Sequence, residues 1–105
     1  MNTISIDKKL EFLHGFSHKT RVEILYYLIE KEKNVSQILT AVDASQSSVS
    51  QHIACLKGCG LIIGRQEGKH VYYKLRNDEI KKLLLNIDNV IKDLPSNIHC
   101  QNHII

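Results

Sequence analysis

Apolar residues fall along this chain in bursts with a helical period. Ile6, Leu10, Leu13 and Phe16 recur at intervals of four and three, as one face of a short helix requires. Ser17 is placed to N-cap a second helix running to about Lys31, with Val22, Leu25, Leu28 and Ile29 on its buried stripe. Asn34-Val35-Ser36-Gln37 reads as a capping box, and Val35, Ile38, Leu39 and Val42 follow as the stripe of a short third helix. After the polar turn Asp43-Ala44-Ser45, Ser45 caps a fourth helix from Gln46 to about Lys57, whose core residues are Val49, Ile53 and Leu56. Gly58 and Gly60 are expected to close it, because glycine takes the left-handed conformation cheaply.

From Leu61 the period changes. Leu61-Ile62-Ile63 is a short apolar run, and Val71, Tyr73 and Leu75 alternate with His70, Tyr72 and Lys74 as in a half-buried strand. Arg65-Gln66-Glu67-Gly68-Lys69 between them is expected to be a hairpin loop. Ile80, Leu83, Leu84, Ile87, Val90, Ile91 and Leu94 then form the strongest helical stripe, stopped by Pro95. The predicted fold is mainly α with a β-hairpin wing, a winged helix-turn-helix in the order α-α-α-α-β-β-α. Residues 1–95 are expected to form the DNA-binding and dimerisation domain, and residues 96–105 a flexible tail. The last stripe is longer than one small core needs. A face shared between the first helix and a twofold partner fits it, which predicts a homodimer through the first and last helices.

Composition adds limits. The chain has 105 residues and a net charge of +3, which suits one compact domain and permits nucleic-acid binding without announcing it. No run approaches the ~18 apolar residues of a membrane span, and the N-terminus lacks signal-peptide order. A cytoplasmic protein without membrane contact is expected. Gln46, Ser47, Ser48, Ser50 and Gln51 are short or bidentate hydrogen-bonding groups at the start of the fourth helix, where a recognition helix meets base edges. Arg65, Lys69 and His70 on the hairpin are candidates for phosphate or minor-groove contact, and Lys19 and Arg21 for further phosphates.

Three cysteines is an odd number, and cytoplasmic thiols stay reduced, so no disulfide framework is expected. Buried inert thiols, reactive thiols and metal ligands remain open. Cys55 and Cys59 lie one turn apart, about 80–120° from the centre of the core stripe, so they flank the core. Two such thiolates suit a soft ion: cadmium, lead or, less selectively, zinc. Cys100 is a candidate third ligand, and His99 or His103 a fourth. A thiolate at a helix C-terminus faces the negative end of the macrodipole, so Cys59 is not expected to ionise unaided. His52 lies near the apolar side of its helix, while His14 and His18 carry no spacing signal.

Ser47 to Ile62 resembles the recognition helix of the ArsR/SmtB metalloregulatory repressors, and Glu67 to Leu75 resembles their wing. The resemblance reaches back through Phe16 to Leu28 and forward along the last helix. Cys55-Leu56-Lys57-Gly58-Cys59 with the late Cys100 is similar to the CmtR-type cadmium/lead sensors. It implies a dimeric repressor bound to double-stranded operator DNA and released when Cys55, Cys59 and Cys100 take Cd(II) or Pb(II). There are departures. Ser17-His18-Lys19-Thr20-Arg21 keeps only the last two residues of the family's Asp-Pro-Thr-Arg, and Val90 stands where the zinc sensors place a histidine partner for Asp88. A redox or persulfide sensor of the same fold is the rival reading, although cysteines at i and i+4 on a helix suit a relaxed disulfide poorly. No nucleophile, base and orienting group converge in the pattern, so an enzyme is not expected.

Overall fold

The structure, a computed structural model, describes residues 3–98. Its elements are α1 (Ile6–His14), α2 (Lys19–Tyr27), β1 (Lys33–Asn34), α3 (Val35–Ala41), α4 (Gln46–Gly58), β2 (Ile62–Glu67), β3 (His70–Leu75) and α5 (Asp78–Lys92). Helices α2, α3 and α4 enclose a core of Ile24, Leu25, Ile38, Val49, Ile53 and Leu56, which Leu61, Ile62, Leu75 and Leu84 complete. The three strands form an antiparallel sheet in the order β1-β3-β2. This is the winged helix-turn-helix architecture expected from the pattern.

Local chemistry explains most boundaries. Asn34 and Gln37 form the expected capping box on α3: the Gln37 N–H donates to Asn34 Oδ1 at 2.9 Å, and the Asn34 N–H donates to Gln37 Oε1 at 2.8 Å. Asn34→Ala should cost about 1–2 kcal/mol in denaturant unfolding, and an unchanged midpoint would show the cap to be idle. The end of α4 is a Schellman motif. Leu61 N–H reaches Leu56 O at 3.0 Å, Gly60 N–H reaches Lys57 O at 3.1 Å, and Gly60 sits at φ 84°. Gly60 therefore ends the helix as expected, whereas Gly58 is its last helical residue.

Four expectations are corrected. The N-cap of α2 is His18, whose Nδ1 accepts from the Thr20 N–H at 3.1 Å. Ser17 is spent elsewhere: its Oγ donates to His14 O and accepts from Arg21, both at 2.8 Å. Helix α2 stops at Tyr27, short of Lys31, because the chain must turn to bring Lys33 and Asn34 against Tyr73 and Tyr72 of β3. That short strand has no period to betray it, and its Lys33 is buried with the ammonium 4.4 Å from the Tyr27 ring centroid. Finally, Arg65, Gln66 and Glu67 belong to β2, so the turn shrinks to Gly68 and Lys69. Gly68 carries φ 62°, which fits a two-residue hairpin led by glycine.

The amphipathic helices at the two ends are turned outward. Ile6, Leu10 and Leu13 of α1 are more than half exposed, as are Val90 and Ile91 of α5. Only Ile80 and Leu84 of α5 are buried, and Tyr26 ties that helix down by donating to Leu84 O at 2.8 Å. The same hydroxyl lies 3.3 Å from Asp88 Oδ1, so Asp88 has a structural partner on α2.

Candidate nucleic-acid interface and thiol site

The front of α4 is a polar ridge. Gln46, Ser47, Ser50 and Gln51 are exposed and Ser48 is half-buried. Part of this ridge is used internally. Ser45 Oγ caps Ser48 N–H at 3.2 Å and lies 3.1 Å from Ser48 Oγ and 3.3 Å from Ser47 Oγ. Ser47 and Ser48 therefore help hold the helix start. Gln46, Ser50 and Gln51 have no side-chain hydrogen bond among the described residues and face solvent with their groups available.

The wing divides its three candidates. Lys69 sits in the exposed turn, and His70 begins β3 with its ring edge-on to Tyr72 at 6.3 Å. Arg65 lies back along β2 and is occupied. Its guanidinium pairs with both carboxylate oxygens of Glu32, meets Glu67 at 2.9 Å and covers the Tyr72 ring at 5.2 Å. The pairing pulls the Glu32 carboxyl below its usual range. Arg65 thus fastens the wing to the segment after α2, and two carboxylates stand between it and a phosphate.

Cys55 and Cys59 are free and half-buried on the rear flank of α4, where the angular argument puts them. Cys59 lines a cavity of about 510 Å³ whose apolar wall comes from Ile4, Phe12 and Leu13 near α1 and from Leu83 of α5. The Cys59 thiol pKa is raised first by burial and then by Cys55; the Arg21 charge and the Gly15 N–H act against both. The direction is the one expected, but burial and the neighbouring sulfur are the causes. The described residues contain no cluster of three metal-ligating side chains. Cys55 and Cys59 place two free sulfurs one helical turn apart on this flank of α4. Cys100, His99 and His103 lie outside the described residues.

Between the polar front and the sulfur rear lies a cluster that sequence spacing does not reveal. The rings of His18 and His52 lie 4.3 Å apart, joining α2 to α4. Arg21 Nη1 is 3.5 Å from His52 Nδ1, and Arg21 Nη2 donates to His14 O at 3.1 Å as well as to Ser17. Arg21 Nε is buried without a hydrogen-bond partner among the described residues. Burial, followed by the charges of His18 and Arg21, pushes the His52 pKa down. Arg21 is half-buried, and its terminal nitrogens contact His14, Ser17 and His52 of the same protomer. The one sequence signal was the placement of His52 beside the apolar stripe.

A helix-turn-helix with an antiparallel wing defines a class of DNA-binding transcriptional regulators. The family model described as "Bacterial regulatory protein, arsR family" matches residues 18–63. The transcriptional activator HlyU of Vibrio cholerae is 32% identical over 77 residues, covering 73% of this chain and 71% of that one. The regulator CmtR of Mycobacterium bovis is 30% identical over 81 residues, or 77% and 69% of the two chains. Among solved structures, the homodimeric winged helix-turn-helix domain of Mb0332 from Mycobacterium bovis superposes with a TM-score of 0.78 at 24% identity, covering 89% of this chain and 92% of that one. The chain belongs to the ArsR family of transcriptional regulators. These relatives are regulators and not enzymes. Among the described residues, no helix is long and apolar enough to cross a membrane.

Proposed function

We propose that this regulator is a homodimeric repressor that leaves its operator when Cys55, Cys59 and Cys100 bind Cd(II) or Pb(II). The observation that carries the reading is the pair of half-buried thiols on the rear flank of the helix whose front is polar and exposed. Gln46, Ser50 and Gln51 would read bases, Ser47 and Ser48 would hold the helix start, and Lys69 and His70 would meet the backbone. Arg65 would support the wing.

The pair at Cys55 and Cys59 fits a soft cation, and a divalent ion would overcome the raised thiol pKa and release protons on binding. Cys100, in the proposed tail of residues 96–105, would be the third thiolate. The relative named CmtR supports this ligand class, and the homodimeric Mb0332 domain supports the assembly.

The test is an operator titration by fluorescence anisotropy with and without Cd(II). Saturating Cd(II) should lower wild-type affinity by about 5–150-fold, the range of ordinary allosteric coupling. Cys55→Ser and Cys59→Ser should abolish the response, and Cys100→Ser should weaken it. Unchanged wild-type affinity would remove the metal switch. A reversible Cys55–Cys59 crosslink after mild oxidation, together with loss of DNA binding, would favour the redox-sensing alternative.

A further inference from the structure

We propose that His18 is a positioning residue for the recognition helix: its neutral ring, stacked on His52, seats α4 for DNA, and protonation of the pair releases that seat. Neither thiol nor metal enters, and the DNA-binding role of the family is the only premise.

The contacts fit one protonation state. His18 is the N-cap of α2, where its Nδ1 accepts the Thr20 N–H at 3.1 Å. An imidazole nitrogen accepts only while it carries no proton, so this ring is neutral with its hydrogen on Nε2. His52 is set in the same way from α2. Arg21 Nη1 lies 3.5 Å from its Nδ1, and a guanidinium offers only donors. The two rings meet at a centroid separation of 4.3 Å with a 40° tilt. One aromatic contact between two neutral rings thus joins the start of α2 to the middle of α4.

Protonation breaks these same contacts. A proton on His18 Nδ1 removes the cap and sets its N–H against that of Thr20. A proton on His52 Nδ1 faces the Arg21 donor, and either imidazolium stands beside a second cation. The surroundings offer no relief. On α2 the charges acting on His52 are His18 and Arg21. Helix α3 has no titratable side chain, and α4 itself has no acidic one. On β2, Arg65 and Glu67 are paired with each other, and Arg65 also with Glu32. The end of α1 meets Arg21 through the His14 carbonyl. Among the described residues no carboxylate pairs with His18, His52 or Arg21. Burial, His18 and Arg21 accordingly lower the His52 pKa. A lowered folded pKa means that the contribution is whole above the unfolded value near 6.5 and is lost as pH falls through the folded one.

The pair is placed to affect DNA. His52 directly follows Ser50 and Gln51, whose exposed groups form the polar front, so a shift at His52 moves them too. Val49 and Ile53 stay in the core on either side, which keeps α4 a helix while its attitude changes. His18 is exposed, and protons reach it from solvent. Added positive charge alone would strengthen attraction to phosphates. The sign of the pH effect therefore separates a lost seat from a gained charge.

The experiment uses the full chain with a chelator present and a DNA duplex selected from random sequence. Affinity is measured by anisotropy at about pH 7.5 and about pH 5.5, on either side of the ordinary imidazole value. Wild type should bind about tenfold more weakly at the lower pH, the equivalent of one pKa unit. His18→Asn keeps a capping acceptor that does not titrate, and it should weaken by less than about threefold, a third of that effect. His70 on the wing is present in both proteins, so its contribution drops out of the comparison. A second readout needs no variant: nitrogen NMR of the wild-type rings at about pH 7.5 should show His18 and His52 both protonated on Nε2 alone. A proton on Nδ1 of either ring overturns the proposal, as does wild-type binding that is equal or stronger in acid. So does a His18→Asn profile that weakens as much as wild type.

Discussion

Val90→Glu should leave the protomer folded, convert the proposed dimer to a monomer and lower operator affinity by roughly 10²–10⁴-fold, the usual worth of bivalent engagement. Val90 is 55% exposed in the protomer, so it contributes little to the intramolecular core. Other apolar residues are alike: Ile91 on α5, Leu94 just after it, and Ile6, Leu10 and Leu13 on α1 all stay largely open to solvent. Exposed apolar residues on both terminal helices suit the proposed interface between two copies, where a carboxylate would be buried without a counter-charge. Light scattering should report the monomer mass, circular dichroism unchanged helicity, and anisotropy the lost affinity. A Val90→Glu protein still dimeric at micromolar concentration would mean that the proposed twofold axis does not pass through α5.

That surface also shows where sequence reasoning stops. The periods of Ile6, Leu10 and Leu13 and of Ile80 to Leu94 are plain in the chain, and both segments are helices. Period gives the direction of a face but does not say whether the covering atoms belong to the same chain. On α4 the pattern was sufficient, because Val49, Ile53 and Leu56 are buried and the cysteines flank them at half-burial. The wing was less legible. Arg65 looked like a loop cation because its partner Glu32 lies 33 positions away, and the Lys33–Asn34 strand is too short to carry a period. Arg21 was hidden for a similar reason: its role is set by His14 and His52, which meet only in the fold.

Leu56→Ala should destabilise the protein by about 2–5 kcal/mol, the range for a buried leucine truncated in a core that closes only partly. Leu56 is fully buried, and its carbonyl accepts the Leu61 N–H that closes the Schellman motif at the end of α4. Its Cδ2 also approaches the Gly15 backbone. The cavity would therefore open beneath the contact between the α1 terminus and the thiol helix. Domains of this size have a total stability on the order of 5–15 kcal/mol, so a large share would be lost. Denaturant unfolding at fixed protein concentration measures it, because the midpoint of a dimer depends on concentration. Gly15→Ala offers an internal check. Alone it should cost about 1–3 kcal/mol through the clash with Leu61 Cδ1. Combined with Leu56→Ala it should cost less than the sum, because Leu61 gains space into which to retreat. Strict additivity of the two substitutions would mean that Gly15 is not pressed on this part of the core.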